Sequence, residues 1–389
     1  MRRANMMIAV VAFSAILASA AHGQDIVKIG LIVSMTGPQA STGKQIKAAV
    51  DLYVKQHGDT VAGKKVQVIL RDSASVPQNT KRLAQELIVI DKVNVIAGFE
   101  ITPAAFAIAT VATEAKIPAV VMAAGTSSVT ERSPYIVRTS FTMGQSSSII
   151  AEWAAKNNIK KFVTLVSDYA PGADAQKVFA DRFTKAGGQV LEEIKVPLDN
   201  PDFAPFLQRA ADAKPDALFL FVPSGQPGAL MKQFAERGLS KAGIKIIGIG
   251  DITDDDELNG MGDAVLGAVT AHFYSADHQS AMNKAYVAAF EKANNFRPNF
   301  MSVGGYDGMH LIYEALKKTG GKTDGDSLVA AMKGMKWESP RGPISIDPET
   351  RDIIQNVYIR KVEKKNGQLY NVEFATFEAV KDPVKAAKK

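Results

Sequence analysis

The sequence predicts an α/β protein made of two doubly wound parallel-sheet lobes, each with helices on both faces of its sheet. One observation is the alternation of short β-branched runs with segments of helical apolar periodicity, which begins at residues 26–33 and 45–54. A second is that this alternation starts again at Lys161. A third is that the C-terminal part departs from it and shows the pattern of antiparallel strands.

The first lobe is predicted from four strands and three helices. Gly37 and Pro38 end the first strand, and Ile46, Ala49 and Tyr53 then share one face of a helix. The predicted strands are 26–33, 65–70, 93–97 and 118–122, and the predicted helices are 45–54, 79–89 and 103–115.

The second lobe repeats this order, with β-branched and aromatic runs separated by segments of helical spacing. Residues 343–348 and 356–362 alternate apolar and polar side chains across a turn, so they predict a β-hairpin near the end of the chain. The predicted strands of this lobe are 162–166, 190–196, 217–222 and 245–249, and its predicted helices are 173–186, 203–213 and 228–237; two further helices, 281–293 and 304–317, are predicted after it.

Residues 1–23 have the layout of a secretory signal peptide. Arg2 and Arg3 supply the positive charge, residues 6–17 are almost entirely apolar, and small residues follow, so cleavage after Ala20 or Gly23 fits the pattern. The apolar run is too short to span a bilayer, and the absence of cysteine argues against a lipid anchor. We therefore expect an exported protein.

The composition is that of a folded globular chain. The 389 residues are 46% hydrophobic and 22% charged, unlike disordered or multi-span membrane proteins. The absence of cysteine rules out disulfide scaffolds and thiol catalysis. The formal charge of +6 is spread along the chain apart from a short Lys-rich tail, so no nucleic-acid partner is expected.

Catalytic and cofactor-binding motifs are incomplete. Thr253 replaces the third glycine of a dinucleotide fingerprint begun at Gly248, and Leu316 replaces the first glycine of a phosphate-binding loop. No G-x-S-x-G or H-E-x-x-H pattern occurs. The acidic run 254–257 lacks the glycine and distal glutamate of a calcium loop and is better explained as a solvated helix start. We predict a protein that is not an enzyme, with no cofactor and no metal.

The expected site is a cleft between the lobes. Open α/β sheets bind ligands outside the carboxyl ends of their strands. Two such sheets that face each other would enclose a small molecule between them.

Short motifs occur in a fixed order along the chain. They are I-G-L-I-V-S-M-T-G-P at 29–38, S-T-G at 41–43, G-F-E-I-T at 98–102, A-A-G-T at 123–126, S-D-Y-A-P-G at 167–172, F-V-P-S at 221–224 and G-Y-D at 305–307. Each is weak alone. Their order and spacing, together with the C-terminal hairpin, resemble the periplasmic solute-binding proteins of ABC importers, in the branched-chain amino-acid group (type I, Leu/Ile/Val-binding-like).

This resemblance implies two lobes joined by three hinge crossovers that close on a ligand. It divides the chain into lobe I, residues 24–142 plus 274–338, and lobe II, residues 143–273 plus 339–389. The crossovers are expected near residues 141–146, 271–275 and 339–343.

The resemblance also implies a site for a ligand carboxylate at the ends of two lobe I strands. The matching positions are Thr102, Ala124, Gly125 and Thr126. Hydroxyls and backbone N–H groups near helix starts suit a carboxylate on chemical grounds as well. Simple helix capping is the alternative role for the two threonines.

Five further positions complete the implied site. The Y-x-x-G motif places Tyr169 in the cleft from lobe II, and Asp251 corresponds to the acidic partner of a ligand ammonium. Thr42, Ser224 and Tyr306 lie in the other matching motifs. Asp251 could equally cap the helix that follows it.

Two departures from the family pattern bear on the ligand. Thr42 stands where an aromatic residue usually follows the first loop, and Pro223 or Ser224 stands where a tyrosine is expected. Smaller side chains should enlarge the pocket and favour a bulkier ligand. Asp251 argues for an ammonium, because a cleft carboxylate without a cation is costly.

The expected function is therefore an exported, periplasmic receptor that delivers a small carboxylate to the membrane permease of an ABC importer. The ligand is a hydrophobic, branched-chain or aromatic amino acid, or alternatively an aromatic carboxylate without an amine, such as a benzoate or a cinnamate. A monomer is expected. A ligand-sensing domain of a signalling system is a less favoured alternative, and a secreted enzyme the least favoured.

Overall fold

The computed structural model describes residues 25–199 and 201–387, so the predicted signal peptide lies outside the described residues. The strands are β1 Ile26–Val33, β2 Thr60–Val61, β3 Lys64–Asp72, β4 Val95–Gly98, β5 Ala119–Val121, β6 Ile136–Arg138, β7 Lys161–Ser167, β8 Gln189–Val196, β9 Ala217–Phe221, β10 Lys245–Ile249, β11 Val269–His272, β12 Lys336–Ser339, β13 Gly342–Ile346, β14 Ile353–Lys365 and β15 Gln368–Val380.

Helices fill the connections between these strands. The α-helices are α1 Ala40–His57, α2 Pro77–Val89, α3 Thr102–Ala107, α4 Ala109–Ala115, α5 Met143–Lys156, α6 Ala170–Lys185, α7 Ala204–Asp212, α8 Pro227–Glu236, α9 Ala281–Asn294, α10 Phe300–Lys318, α11 Gly325–Met332 and α12 Pro383–Ala386. Short 3₁₀ helices occupy Ser127–Arg132, Gly250–Thr253 and Leu258–Val265. None of the described helices is long and apolar enough to cross a membrane.

The first sheet has the strand order β2-β3-β1-β4-β5-β6. All its pairs are parallel except the short β2–β3 pair. All four residues of β4 are buried, as expected for a parallel strand with helices on both faces. From β1 the strand order first extends to β3 and β2 on one side, and then to β4, β5 and β6 on the other side. The carboxyl ends of β1 and β4, where the order switches, therefore flank a natural crevice.

The second sheet has the order β12-β13-β14-β11-β10-β9-β7-β8, with β15 paired to β14. Strands β7 to β11 are parallel, whereas β11 to β15 are joined by antiparallel pairs. The predicted C-terminal hairpin is β13 and β14, in which Ile344 pairs with Gln355 and Ile346 with Ile353. The predicted fold class, two parallel-dominated α/β sheets, is confirmed.

Several elements differ from the prediction. The helix expected at 103–115 is two short helices, α3 and α4, that meet at Ile108. Strand β6 and helix α5 were not predicted, and β15 extends the hairpin into a third long strand. The predicted second strand of the hairpin ends at Val362, whereas β14 continues to Lys365 and turns directly into β15.

The chain passes between the two sheets three times. The passages are residues 139–142 between β6 and α5, 273–280 between β11 and α9, and 333–335 between α11 and β12. The third lies earlier than the expected 339–343, because β12 already pairs with β13 in the second sheet. Residues 336–338, which the prediction gave to lobe I, therefore belong to that sheet.

Buried Arg341 contacts two of these passages. Its guanidinium donates to the carbonyl oxygens of Thr139 and Ser140 in the first passage and pairs with Asp307 of α10 at 2.7 Å. It also lies 4.8 Å from the ring centroid of Phe273 in the second passage. One side chain thus links segments that are far apart in the sequence.

Candidate ligand-binding cleft

A cavity lies between the carboxyl ends of the strands of the two sheets. Its empty volume is about 320 Å³, including the part open to solvent. Only about 20 Å³ of this is enclosed free space in the closed form, so a small ligand needs the lobes to open or the lining side chains to move. The lining residues are Gln39, Glu100, Ile101, Thr102, Ala123, Ala124, Gly125, Phe141, Met143, Tyr169, Pro171, Pro223, Ser224, Asp251 and Met301.

The lobes are closed over this cavity. Ser41 Oγ at the start of α1 donates to Asp256 Oδ2 at 3.4 Å. On another side, the backbone N–H of Ser127 donates to Asp174 Oδ2 of α6 at 2.8 Å. Both bonds join a residue on the first-sheet side to one on the second-sheet side.

Two threonine hydroxyls lie at one end of the cavity. Thr102 follows β4 and donates from Oγ1 to Thr126 Oγ1 at 2.9 Å. The backbone N–H of Ala124 is already used, because it donates to the carbonyl oxygen of Phe99 at 3.1 Å. Hydroxyls therefore supply much of the polarity at this end of the cavity.

Arg138 stabilises the backbone at this end of the cavity. It is fully buried and donates to the carbonyl oxygens of Ala124 at 3.0 Å and Thr126 at 2.8 Å. Its Nε also bonds to Asp352 Oδ1 at 2.8 Å. The loop that carries Gly125 is thus fixed by a charged group that itself lies outside the cavity lining.

Glu100 is a buried acid in the lining. Its Oε1 accepts hydrogen bonds from Ser34 Oγ at 2.5 Å and Ser73 Oγ at 2.9 Å. Its Oε2 is buried and has no hydrogen-bond partner among the described residues. Burial raises the pKa of Glu100, although both serine hydroxyls favour the ionised form and oppose the shift.

Asp251 faces the cavity from the second sheet, in the 3₁₀ helix that directly follows β10. It is 3% exposed, and its Oδ2 also lacks a partner among the described residues. Burial raises the pKa of Asp251 to about 7, although the positive charge of Arg360 opposes the shift. Both protonation states of this carboxyl are therefore accessible near neutral pH.

The remaining lining is largely apolar and partly aromatic. The ring of Tyr169 stacks on Phe221 with a centroid distance of 5.9 Å. Burial, with a contribution from Asp251, raises the pKa of Tyr169, so its hydroxyl stays protonated. Phe141 contributes a second ring at the first passage between the sheets, and Met143 and Met301 complete the apolar surface.

Comparisons with known proteins agree with this architecture. The chain matches the periplasmic binding protein family over residues 26–368. The chain belongs to this family. It is 44% identical over 372 residues to Leu/Ile/Val-binding protein homolog 6 of Brucella abortus (strain 2308), covering 94% of this chain and 95% of that protein.

Two solved structures are similar over nearly the whole chain of this binding protein. One is a solute-binding protein of an ABC transporter from Rhodopseudomonas palustris BisB5 in complex with 3,4-dihydroxybenzoic acid, with 73% identity, a TM-score of 0.92, and 93% of this chain and 100% of that chain covered. The other is an R. palustris solute-binding protein in complex with 4-hydroxybenzoate, with 43% identity, a TM-score of 0.90, and coverage of 94% and 100%.

The structure brings most of the predicted site residues of this binding protein into one place. Thr126 contacts Thr102 but is not itself in the lining. The six predicted residues that line the cavity are Thr102, Ala124, Gly125, Tyr169, Ser224 and Asp251. Thr102 is the first residue of α3 and not its N-cap, and the side chain of Thr126 accepts no capping hydrogen bond from the 3₁₀ helix that follows it.

Thr42 and Tyr306 are placed elsewhere. Thr42 is buried in the first turn of α1 and is not among the described residues of the lining. The hydroxyl of Tyr306 donates to Gln56 at 2.7 Å and lies 3.3 Å from His57, on the far side of α1. Residue 306 points away from the cleft because α10 packs that face against α1. The smaller side chain at Thr42 therefore does not shape the cavity directly, unlike Pro223.

The acidic run after Asp251 is not a solvated helix start. Asp254 and Asp255 are each 1% exposed. Asp254 accepts hydrogen bonds from Asn299 at 2.9 Å and from Ser224 at 3.0 Å, and Asp255 accepts one from Asn371 at 3.0 Å. These partners are distant in sequence, so the sequence of the acidic run does not indicate that its side chains are buried. Within the described ranges, no group of three or more acidic or histidine side chains is arranged to hold a metal ion.

Sequence reasoning missed Glu100, Phe141 and Met301. Glu100 carries a usable signal, because an acid two residues after the apolar strand that ends at Gly98 is a candidate for a buried, perturbed carboxyl. Phe141 lies inside a segment assigned to a crossover, and Met301 lies in the first turn of α10, far along the chain from the other lining residues of lobe I. Neither has a local pattern that distinguishes a cavity residue from a core residue.

Replacing Asp251 with asparagine should change how stability depends on pH. The folded pKa of about 7 lies above the usual value near 3.9, so the folded state binds this proton more tightly than the unfolded chain does. That stabilisation is complete below pH 4 and is lost as the pH rises through 7. The stability of Asp251→Asn relative to the ligand-free wild type should rise by up to about 1.4 kcal/mol per pH unit between pH 4 and 7.

Urea unfolding of both proteins at pH 4, 5.5 and 7 measures this difference. Asp199→Asn, at an exposed position, is the control for removing a carboxylate. A constant difference between wild type and Asp251→Asn over the whole range would show that Asp251 does not titrate there.

Proposed function

We propose that this protein binds a hydroxybenzoate-type aromatic carboxylate in the cleft and delivers it to the membrane permease of an ABC importer. One observation carries the choice of ligand. The cavity combines the hydroxyl of Thr102, which is bonded to Thr126 behind it, with two buried acids, Glu100 and Asp251, each of which has one oxygen without a hydrogen-bond partner among the described residues. In an aromatic ring with a carboxylate at one side and hydroxyl groups at the other, the carboxylate can accept hydrogen bonds from hydroxyls of the site, and the ring hydroxyls can bond to the two acids.

A hydrophobic amino acid is the second candidate. It is favoured by the Leu/Ile/Val-binding relative and by Asp251, which could pair with an ammonium when ionised. Asp251 has a pKa of about 7, however, so much of it is uncharged near neutral pH in the ligand-free protein. Phenolic hydroxyls can donate to an ionised carboxyl and accept from a protonated one. The similarity to a protein solved with 3,4-dihydroxybenzoic acid adds to this preference.

The delivery step follows from the two-lobe architecture. We propose that the lobes hinge at the three passages 139–142, 273–280 and 333–335, and that the permease engages the closed form. Export through cleavage of residues 1–23, a periplasmic location, a monomeric state and the absence of catalysis or cofactors belong to the same proposal. Recovery of the ligand unchanged after prolonged incubation separates binding from turnover.

A thermal-unfolding panel tests the proposed ligand class. Protein freed of co-purified ligand by unfolding and refolding is heated with benzoate, 4-hydroxybenzoate, 3,4-dihydroxybenzoate, leucine or phenylalanine. A ligand at 100 times its Kd adds about 2.7 kcal/mol of stability, which moves the midpoint measurably. We expect shifts with the aromatic acids and none with leucine. Shifts with the two amino acids alone would contradict the proposal.

Replacing Thr102 with valine should weaken binding of these aromatic carboxylates by about 10- to 100-fold. The change removes a hydroxyl from the cavity and breaks its bond to Thr126, and a hydrogen bond to a charged group contributes about 1.5–3 kcal/mol. Thr102→Ser keeps the hydroxyl and should retain most of the affinity. Thr110→Val, at an exposed position of α4, is the matched control. Equal affinities for Thr102→Val and wild type in calorimetric titration would place the ligand carboxylate elsewhere.

A further inference from the structure

The carboxyl group of Glu100 has one oxygen held by the protein and one that is not. The side chain is 4% exposed, and Oε1 accepts from Ser34 and Ser73. Oε2 is buried without a hydrogen-bond partner among the described residues, and Glu100 lines the cavity. A buried carboxyl oxygen without a partner is costly, so its persistence points to a donor that arrives with the ligand.

The backbone around Glu100 is held in a conformation that local preference does not favour. Gly98 has φ +112°, and a Cβ there would lie 2.2 Å from the carbonyl oxygen of Ile32. Phe99 has φ +66°, in the left-handed region that bulky residues rarely adopt. Such strain persists only where the surroundings impose it, and it concentrates at ligand sites. Together these two residues end β4 and bring Glu100 to the cavity.

Sheet order separates Glu100 from the threonine pair. Ser34 follows β1 and Ser73 follows β3, so the carboxyl group they hold lies over the ends of those two strands. Thr102 and Thr126 follow β4 and β5, the next strands in the order β3-β1-β4-β5. Neighbouring strands are about 4.8 Å apart, so one to two strand spacings, about 5–10 Å, lie between the two polar positions. A single benzene ring can bridge that gap.

We infer that Glu100 is a specificity residue whose Oε2 accepts a hydrogen bond from the 4-hydroxyl group of the bound aromatic carboxylate. This rests on the proposed function. Ser34 and Ser73 act as positioning residues that hold the other oxygen. A benzoate without the hydroxyl leaves Oε2 buried and unsatisfied, so the site binds it more weakly than 4-hydroxybenzoate.

The test compares three ligands by calorimetric titration: benzoate, 4-fluorobenzoate and 4-hydroxybenzoate. Fluorine resembles the hydroxyl in size but has no proton to donate. Wild type should bind 4-hydroxybenzoate about 10- to 100-fold more tightly than 4-fluorobenzoate. In Glu100→Leu this ratio should fall to about one, while benzoate binding is retained. Glu114→Leu, an exposed acid of α4 in the same lobe, should keep the wild-type ratio.

A second variant keeps the inference testable if Glu100→Leu does not fold. Glu100→Gln retains an oxygen for the two serines but presents an amide donor in place of the acceptor, so the preference for 4-hydroxybenzoate should fall there too. An unchanged ratio in the folded Glu100 variants would overturn the role of Glu100 and leave the proposed function intact. Failure of wild type to bind any of the three ligands would instead refute the proposed function.

Discussion

Replacing Arg138 with methionine is expected to lower the free energy of unfolding by about 3–5 kcal/mol. Arg138 is completely buried and pairs with Asp352, whose side chain is 3% exposed. The variant leaves that carboxylate with Lys385 as its remaining charged partner and removes the donors to the carbonyl oxygens of Ala124 and Thr126. Ligand affinity should fall as well, because those carbonyls belong to the loop that ends the cavity beside Thr102.

Urea unfolding measures the loss, and a surface pair provides the control. Arg82 and Glu86 form an exposed pair one helical turn apart, so Arg82→Met should cost less than about 1 kcal/mol. Arg138→Lys keeps the charge but lacks the planar guanidinium that reaches both Asp352 and the carbonyls. Its free energy of unfolding should therefore be nearly as low as that of Arg138→Met. A loss below 1 kcal/mol for Arg138→Met would show that the buried pair does not organise the loop.

Replacing Gly43 with alanine should also be severely destabilising, by about 3 kcal/mol or more, with loss of ligand binding. Gly43 lies near the start of α1, and a Cβ there would be 1.8 Å from the carbonyl oxygen of Ser34. Backbone cannot yield as a flexible side chain can, so the helix must shift away from the end of β1. That shift would also displace Ser34, which holds Glu100.

Gly228 provides a matched control for this substitution. It also lies near the start of a helix, α8, but a Cβ at that position meets nothing within 4 Å. Gly228→Ala should be neutral or slightly stabilising, because alanine is the better helix former. The midpoint of thermal unfolding should therefore fall in Gly43→Ala and stay the same or rise slightly in Gly228→Ala. A loss under 1 kcal/mol in Gly43→Ala would mean that α1 can move away from the strand at little cost.

Much of the fold was predictable because its signals are local. The strand 245–249 and the boundaries of most helices follow from apolar periodicity and turn residues, and the family resemblance singled out Tyr169 and Asp251, which lie just after β7 and β10 and line the cavity. Carboxyl ends of parallel strands meet at one edge of a sheet, so position after a strand is informative even without a structure. Tyr306 has no such marker, since it lies within a helix and only the packing of α10 decides which way it points.

The remaining features depend on partners far along the chain. Asp254 and Asp255 are buried through Asn299 and Asn371, residues that no local pattern connects to them. The three-residue strand β6 is too short for periodicity to reveal, and α3 and α4 divide a segment whose apolar spacing is continuous. The unpartnered oxygen of Glu100 appears only once Ser34 and Ser73 are known to hold the other one.

Calorimetric titration of the refolded, ligand-free wild type with 3,4-dihydroxybenzoate and with leucine tests the central claim most directly. The account predicts binding of 3,4-dihydroxybenzoate at one molecule per chain, with a Kd in the micromolar range or below, and no heat from leucine. Saturable binding of leucine, with none of 3,4-dihydroxybenzoate, would contradict it. Asp251 would then be the partner of an ammonium group, and the cleft would be that of an amino-acid receptor.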